Sequence, residues 1–333
     1  MENRVLIIVT GGAGFIGSNI VAALEAAGHD DIVISDRLRS DGKWRNIAKR
    51  MPRDIIHPDT LAAYIETHAS RITAIYHMGA ISSTTAVDGE LVLQSNFSLS
   101  VQLWQACARH GITLIYASSA ATYGDGDEGF DDSNDLAAMQ LLRPLNLYGW
   151  SKWLFDCWVL KTIKRGEPQP PVWSGLRFFN VYGPNEYHKG SMQSLVSKIV
   201  AGHRPGQAVK LFKSYKAGFA DGEQLRDFVH VDDVVSVMIW LGSLGRPGGI
   251  LNLGTGVARS FHDLAVAAVR ACGDDPVIAF VEMPESIRSQ YQYYTKAEMS
   301  RVQGLGYNRG FLSLEAGVTD YVQSYLLAPD RYR

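Results

Sequence analysis

Short apolar runs alternate with longer stretches of helical character from the start of the chain to residue 179. A run that is apolar and β-branched at nearly every position is typical of a parallel strand buried on both faces. These runs predict strands at residues 4–10, 32–35, 54–57, 72–77, 112–117 and 172–179. Because helical segments separate them, the pattern predicts an α/β fold built on a doubly wound parallel sheet.

The pattern changes at Gly183, where turn residues open a stretch rich in glycine, lysine and aromatic residues. Core-like strands are predicted again at 227–231 and 250–254, and the rest of the chain has a mixed, mainly helical character. A chain of 333 residues is long enough for two domains. We expect a larger domain of residues 1–182 plus 226–260 and a smaller, discontinuous α/β domain of residues 183–225 plus 261–333.

A glycine-rich turn separates the first predicted strand from a helix that we expect over residues 18–27. Gly11, Gly14 and Gly17 are spaced so that the backbone can turn tightly and approach a pyrophosphate held at the helix N-terminus. Asp36 ends the second predicted strand, nineteen residues after Gly17, where a carboxylate would hold the adenosine ribose of a dinucleotide. The larger domain is therefore predicted to be a Rossmann-type dinucleotide-binding domain.

The residues after the second strand leave the choice between NAD and NADP open. Asp36 favours NAD, because a carboxylate repels the 2′-phosphate of NADP. Arg37, Arg39 and Lys43 could neutralise that phosphate. The same three residues could equally form a solvated basic loop.

Tyr148 and Lys152 are four residues apart, so one turn of helix would place the phenol and the ammonium on the same face. A lysine charge beside a tyrosine is expected to lower the pKa of the phenol and to favour the phenolate. Such a pair suits the removal of a proton from a sugar hydroxyl while a hydride leaves the same carbon. The spacing alone is weak support and depends on the dinucleotide motif that precedes it.

Composition limits the class of protein further. The net charge of −2 gives no basic surplus for binding nucleic acid, and no apolar run reaches the roughly twenty residues of a membrane span. The first strand is predicted within a few residues of Met1, which leaves no room for a signal peptide. The three cysteines are far apart and are expected to be buried apolar residues, and no metal site is predicted. These features predict a soluble, cytoplasmic protein that binds small molecules.

Five motifs in the same order and spacing carry a resemblance that covers nearly the whole chain. They are residues 10–17, 77–80, 117–120, the pair Tyr148 and Lys152, and residues 177–184. The chain resembles the extended short-chain dehydrogenase/reductase family. A narrower set of segments resembles the sugar-nucleotide epimerases of that family: 82–85, 117–124, 144–149 and 188–192.

The narrower resemblance implies a reaction and its participants. The substrate would be an ADP-activated sugar, oxidised at one carbon to a ketone and reduced again on the opposite face. One NADP would be tightly bound in each subunit, which favours NADP although NAD stays possible, and the subunits would form a homo-oligomer, a pentamer in relatives. The alternatives are another epimerase, such as a UDP-sugar 4-epimerase, and a non-catalytic dinucleotide sensor. A 4,6-dehydratase is disfavoured, because residues 120–122 lack the two carboxylates that it would carry.

The resemblance also implies roles for single residues. Ser119, preferred over its neighbour Ser118, would donate a hydrogen bond to the reacting oxygen, and Tyr148 and Lys152 would be the acid/base and its partner. Lys189 would be a second acid/base, since a desolvated lysine titrates nearer neutrality. The cofactor would contact Gly11, Gly14, Phe15, Ile16, Gly17, Asp36, Arg37, Lys43, Met78, Gly79, Ala80, Ile81, Ser82, Asn96, Tyr148, Lys152, Val181 and Lys189.

The substrate-side residues follow from the same resemblance, with Arg226 as the candidate ligand of the diphosphate. The set is Ser119, Asn180, Ser191, Lys198, Phe212, Lys213, Ser214, Tyr215, Arg226 and Tyr291. Residues 213–225 form a longer stretch than the family pattern, so nucleotide specificity could differ. Met78 and Ile81 also depart from the pattern, without touching the chemistry.

Overall fold

The computed structural model describes residues 5–288 and 291–333. The strands are β1 (Leu6–Thr10), β2 (Ile32–Ser35), β3 (Asp54–Ile56), β4 (Ile72–His77), β5 (Thr113–Ser119), β6 (Trp173–Phe178), β7 (Asn180–Tyr182), β8 (Val209–Phe212), β9 (Leu225–His230), β10 (Gly249–Leu253), β11 (Ala258–Ser260) and β12 (Ile278–Val281). The helices are α1 (Phe15–Ala26), α2 (Leu61–His68), α3 (Gly89–Val92), α4 (Leu99–His110), α5 (Leu136–Leu141), α6 (Leu147–Lys164), α7 (Leu195–Gly202), α8 (Val231–Gly242), α9 (Phe261–Ala271), α10 (Glu285–Arg288), α11 (Ser300–Gly304) and α12 (Leu314–Tyr321).

Seven strands form one parallel sheet in the order β10-β6-β5-β4-β1-β2-β3. The chain starts in the middle of this sheet and moves first to one edge and then to the other, with helices between the strands. The predicted doubly wound α/β fold is therefore confirmed. Arg4, where the first strand was predicted to start, lies outside the described residues.

The first helix begins earlier than the sequence pattern predicted. It starts at Phe15, with Gly14 as its N-cap, and not at Ser18. The helix therefore starts inside the glycine motif, which brings its first turn directly to the carboxyl end of β1.

The apolar interior has two parts. The larger cluster surrounds the seven-stranded sheet and is formed by β1, β2, β4, β5, β6 and β10 with the helices that cover them. A second cluster is formed by α7, α9 and α12 with neighbouring residues of β8 and β9. Two small sheets, β11-β9-β7 and β12-β8, lie outside the main sheet. In the described part of the chain, no helix is long and apolar enough to cross a membrane.

The two clusters bear on the expected domain boundaries. Ala297, Met299, Val302 and Tyr307 belong to the larger cluster, although they fall in a range assigned to the smaller domain. The domain boundaries stay a prediction. Within the predicted smaller domain, the segment 297–307 packs with the core of the larger one.

Candidate active site

A cleft of about 860 Å³ opens beyond the carboxyl ends of β1, β4 and β5. This is the edge of a doubly wound sheet at which ligands bind. Most of the predicted site residues line it: Gly11, Gly14, Phe15, Ile16, Gly17, Asp36, Lys43, Met78, Gly79, Ala80, Ser82, Ser119, Tyr148, Lys152, Asn180, Val181, Lys189, Lys198, Phe212 and Tyr291.

The glycine turn forms a cradle that side chains would fill. A Cβ on Gly17 would lie 2.1 Å from the carbonyl oxygen of Gly11, and Gly11 itself has a φ of +64°. The N-cap of α1, Gly14, makes no side-chain cap, and the first turn carries no acidic residue. The first N–H groups of a twelve-residue helix therefore face the cleft without a competing anion. This cradle fits the pyrophosphate of a dinucleotide.

Three contacts hold the Asp36 side chain beside the glycine turn. Its Oδ2 accepts a hydrogen bond from the Ala13 amide at 2.9 Å, and its Oδ1 accepts from the Arg37 amide at 2.6 Å. The ammonium of Lys43 lies 2.7 Å from Oδ1, and both side chains are largely buried. Asp36 therefore lies at the predicted position, with its charge already balanced by Lys43. Arg37 points elsewhere and pairs with Asp59 at 2.5 Å, so it does not line the cleft.

Asn96 and Ile81 hold the loop after β4 but do not line the cleft. The amide of Asn96 accepts from the Ile81 N–H at 2.8 Å and donates to the Ile81 carbonyl at 3.0 Å. It also donates to Ser151 Oγ on α6 at 2.9 Å. Asn96 therefore fastens the loop that carries Gly79 and Ala80 to the helix that carries Tyr148. The cofactor contacts of Asn96 and Ile81 stay a prediction, and the structure shows these residues holding the loop from outside the cleft lining.

Helix α6 brings the tyrosine and lysine to the end of β5. Asn146 caps the helix by accepting from the Gly149 amide at 2.9 Å, which places Tyr148 in the first turn. A Cβ on Gly149 would lie 2.7 Å from the Ala121 carbonyl oxygen, so the glycine allows the helix to approach the turn after Ser119. Ser119, Tyr148 and Lys152 therefore line one cleft.

Ser118 and Ser119 face different surroundings. Ser119 lines the cleft, and its Oγ accepts a hydrogen bond from the Ala121 amide at 3.1 Å. Ser118 is buried and donates to Asp156 at 2.9 Å, beneath the cleft. Ser119 is therefore the serine that can contact a ligand.

The pKa of Tyr148 is shifted in the direction opposite to the one expected from Lys152. Burial raises the pKa of Tyr148, and the Ser119 hydroxyl opposes this only in part. The ammonium of Lys152 donates to the Ala117 carbonyl at 2.8 Å. Burial lowers the pKa of Lys152 to about 8, while Asp156 acts in the opposite direction. The physical reason is desolvation, which spacing along a helix does not reveal.

Lys189 lies in a short 3-10 helix, Tyr187–Met192, and its side chain lines the cleft. Its Nζ lies 5.1 Å from the centroid of the Phe15 ring at the start of α1. Burial lowers the pKa of Lys189, Glu186 raises it and Lys198 lowers it. The predicted acid/base character of Lys189 thus has a physical basis in its surroundings.

Half of the predicted substrate residues reach the cleft. Asn180, Lys198, Phe212 and Tyr291 line it together with Ser119. Ser191, Lys213, Ser214, Tyr215 and Arg226 do not. The main-chain carbonyl of Ser191 accepts from Lys198 at 2.6 Å.

Each residue of the stretch 213–215 has a partner within the protein. Lys213 pairs with Glu282 at 2.7 Å, and the guanidinium of Arg288 stacks 3.8 Å from the Tyr215 ring centroid. The Ser214 hydroxyl donates to the Lys216 carbonyl within its own loop. Lys213 and Tyr215 contact residues some seventy positions later in the chain, which a local motif does not reveal, and the substrate contacts of 213–215 stay a prediction.

Arg226 lies behind Tyr291, where it is 7% exposed. Its guanidinium donates to the main-chain carbonyls of Leu225 and Gln292 and lies 5.4 Å from the Tyr291 ring centroid. Burial lowers its pKa. In the structure Arg226 holds the segment 291–292 in the cleft wall, and its contact with a diphosphate stays a prediction.

Several cleft residues were not among the predicted site residues. His188, Gln193, Lys210, Gln224, Phe261, Gln292 and Thr295 line the same cavity. His188 belongs to the segment 188–192 that carries the narrower resemblance, and Gln292 follows Tyr291, so the sequence offered a signal for both. Lys210 lies on β8, Gln224 directly precedes β9 and Phe261 begins α9, and these elements meet only in the folded chain.

The cradle and the Ser119, Tyr148 and Lys152 side chains face one cavity, as hydride transfer to or from a carbon bearing a hydroxyl requires. Fold and cleft together define a dinucleotide-dependent enzyme of the short-chain dehydrogenase/reductase type. Residues 7–254 match the model of the NAD dependent epimerase/dehydratase family. The chain belongs to this family.

Curated relatives are similar over nearly the whole length. An ADP-L-glycero-D-manno-heptose-6-epimerase from Fusobacterium nucleatum is 47% identical over 335 residues, which cover 98% of this chain and 100% of the relative. One of the same name from Nitratidesulfovibrio vulgaris is 44% identical over 330 residues, covering 98% of this chain and 99% of the relative. The predicted family and enzyme class, an epimerase, are confirmed.

Solved structures agree in fold. The Helicobacter pylori ADP-L-glycero-D-manno-heptose-6-epimerase superposes with a TM-score of 0.78 at 29% identity, over 97% of this chain and 96% of that chain. The Thermus thermophilus UDP-glucose 4-epimerase, in complex with NAD, gives a TM-score of 0.68 at 25% identity, over 95% and 97%.

Proposed function

We propose that this chain interconverts ADP-D-glycero-D-manno-heptose and ADP-L-glycero-D-manno-heptose, using bound NADP. The observation that carries the proposal is the cleft in which Ser119, Tyr148 and Lys152 face a dinucleotide cradle and share the cavity with Lys189. The similarity to heptose 6-epimerases over nearly the full chain supports the choice of sugar. The product would serve the synthesis of the lipopolysaccharide core.

In the proposed reaction the hydroxyl group on C6″ loses and regains its proton, while C6″ itself changes configuration. A dinucleotide held by the glycine cradle would supply the hydride acceptor and donor for oxidation of C6″ to a ketone and its reduction on the opposite face. Tyr148 takes the hydroxyl proton in one orientation of the sugar, and Ser119 holds the oxygen by a hydrogen bond. Lys152 lies against the Ala117 carbonyl, at the position from which it would hold the nicotinamide ribose.

An epimerase needs to serve two orientations of the same carbon, and the cleft contains a second titratable group for this purpose. Lys189 lines the cavity from the 187–192 segment, and burial lowers its pKa toward the range of an acid/base. In the second orientation Lys189 would exchange the proton that Tyr148 exchanges in the first. A simple dehydrogenase has no use for this second group.

The proposed preference for NADP rests on the charge around Asp36. Lys43 pairs with the carboxylate at 2.7 Å in a largely buried position. Neutralising Asp36 removes the repulsion that would otherwise exclude a 2′-phosphate. His188 lines the same cleft and is hydrogen-bonded to Asn46 at 3.1 Å. It is a further polar group on the wall of the cofactor cleft.

The remaining predictions follow the resemblance. The protein is proposed to be cytoplasmic and to form a homo-oligomer, a pentamer by resemblance, with one NADP bound in each subunit. Light scattering on purified protein measures the oligomer. A monomeric mass would contradict this part of the proposal and leave the chemistry untouched.

The reaction is tested by proton NMR of ADP-D-glycero-D-manno-heptose incubated with purified protein and no added cofactor. Appearance of the L-glycero epimer is the expected result, and it means that a resident dinucleotide is recycled. Turnover that starts only after NADP is added would contradict the tight binding of the cofactor and leave the proposed reaction intact. No turnover with either cofactor would contradict the heptose assignment, and turnover of UDP-glucose in the same assay would replace it with a 4-epimerase.

A further inference from the structure

Glu186 is a buried carboxyl group one turn before Lys189, and none of the chemistry above uses it. It is 0% exposed. Its main-chain carbonyl accepts a hydrogen bond from the Lys189 amide at 3.0 Å, so the two residues share one helical turn. A fully buried carboxyl group is costly unless partners stabilise it. Glu186 therefore needs stabilising partners, and it lies within one turn of a lysine that lines the cleft.

Two strong hydrogen bonds fix the Glu186 side chain. One carboxylate oxygen accepts from the Ser194 amide and the other from the Ser194 hydroxyl, both at 2.5 Å. Ser194 is also the N-cap of α7. Burial raises the pKa of this carboxyl group, while Lys189, the two Ser194 donors and the Tyr321 hydroxyl oppose that shift and favour its ionised form. The carboxylate is thus held rigidly between α7 and the turn that carries Lys189.

Lys189 has few other partners. Its ammonium lies over the Phe15 ring and has no hydrogen-bond acceptor in the described part of the chain. The charged and titratable groups that act on it are Glu186, Lys198 and His188. Lys198 and a protonated His188 oppose its charge, so Glu186 is the group that stabilises the ammonium.

We propose that Glu186 is a positioning residue whose fixed negative charge keeps Lys189 protonated in the resting cleft. In one direction of the reaction, Lys189 can then donate a proton to the ketone oxygen. In the other direction it must lose that proton, and Glu186 determines the pH at which it does so. This inference rests on the proposed function only for the role of Lys189 in turnover.

The first test needs no substrate. In Glu186→Gln, the amide can accept from the Ser194 N–H and donate to the Ser194 hydroxyl, so the fold is kept and the charge alone is lost. Competitive acetylation over a range of pH, read by peptide mass spectrometry, gives the pKa of Lys189. We expect the variant to lower it by on the order of one unit. An unchanged pKa of Lys189 would overturn the proposal.

The second test is the pH profile of epimerisation. Glu186→Gln is expected to move the limb of the pH profile that reports Lys189 to lower pH and to leave the other limb in place. Glu186→Asp is expected to return that limb part of the way to its wild-type position. Ser194→Ala is the matched control, because it weakens the same contact and the cap of α7 but retains the charge. It should lower the melting temperature more than it moves the limb. If Ser194→Ala and Glu186→Gln shift the profile equally, Glu186 has a structural role only.

The two tests separate failure of this inference from failure of the proposed function. A shifted Lys189 pKa in a protein that turns over no ADP-heptose leaves the Glu186–Lys189 coupling intact and contradicts the substrate. An active enzyme with an unshifted pKa contradicts the coupling and leaves the reaction intact.

Discussion

The ammonium of Lys152 donates a hydrogen bond of 2.8 Å to the main-chain carbonyl of Ala117. Ala117 precedes Ser119 by two residues on β5, so the lysine is anchored to the strand that carries the serine. Asn96 fastens the same helix to the loop after β4 through Ser151. The positions of Ser119, Tyr148 and Lys152 are therefore set by contacts within the protein, and ligand binding need not assemble them.

Burial of Lys152 has a consequence for stability against pH. The pKa of Lys152 falls from 10.5 to about 8 on folding. Between these values the unfolded chain binds more protons, so stability rises with pH through this window. Relative to Lys152→Met, the wild-type free energy of unfolding should increase by on the order of 3 kcal/mol from pH 8 to 10.5. Urea titrations of both proteins at the two pH values measure it, and a parallel pH dependence would contradict the low pKa.

Tyr148→Phe removes the acid/base but keeps the ring in its place. Turnover should fall by about 10²- to 10⁴-fold, the usual contribution of a positioned acid/base. The dinucleotide should stay bound, since the cradle is untouched. Tyr307→Phe is the matched control, because Tyr307 donates to Ser236 away from the cleft at 3.0 Å. The control should lose about 1 kcal/mol of stability and no activity. Equal turnover in both variants would exclude Tyr148 from the chemistry.

Local pattern predicted the fold and the cofactor half of the site well. A buried strand, a glycine turn and a helix are neighbours in sequence, so Gly11, Gly17 and Asp36 were found at their places. At the nucleotide end the local pattern carried less information, because Arg226 is placed by contacts with Tyr291 and Gln292, and Tyr215 by contacts with Arg288 and Tyr293. The direction of the Tyr148 pKa was also missed, because it depends on burial by the whole fold.

The buried pair of Asp156 and Arg177 supports the floor of the site. Arg177 Nε lies 3.1 Å from Asp156, and both side chains are almost fully buried. Ser118 and Tyr116 donate to the same carboxylate. Asp156→Asn leaves the guanidinium without its counter-charge and should cost about 3–5 kcal/mol. Urea unfolding measures the loss.

A matched double variant tests whether the loss comes from the unpaired charge. Asp156→Leu combined with Arg177→Met should recover much of the stability lost in Asp156→Asn, because no charge is then left buried. If the double variant is less stable than Asp156→Asn, the loss reflects packing and hydrogen bonds of Asp156 instead.

Lys43 should decide the choice between the two dinucleotides. Lys43→Ala leaves Asp36 with an unbalanced charge, which repels a 2′-phosphate. Affinity for NADP should fall about tenfold more than affinity for NAD, a difference of about 1.4 kcal/mol. Arg53→Ala is the control, because Arg53 pairs with Asp31 at the surface, 2.6 Å away. Equal losses for the two dinucleotides, measured by calorimetry on cofactor-stripped protein, would contradict a role of Lys43 in the preference.

The central claim is that the hydride removed from the sugar returns to the same carbon on its opposite face. ADP-D-glycero-D-manno-heptose carrying deuterium at C6″ tests it directly, with the isotope content of the L-glycero product measured by mass spectrometry and NMR. We expect the product to retain the deuterium at C6″ in ordinary water. Loss of the label to solvent would show that the carbon is inverted by proton exchange, and would contradict the mechanism built on Ser119, Tyr148 and Lys189.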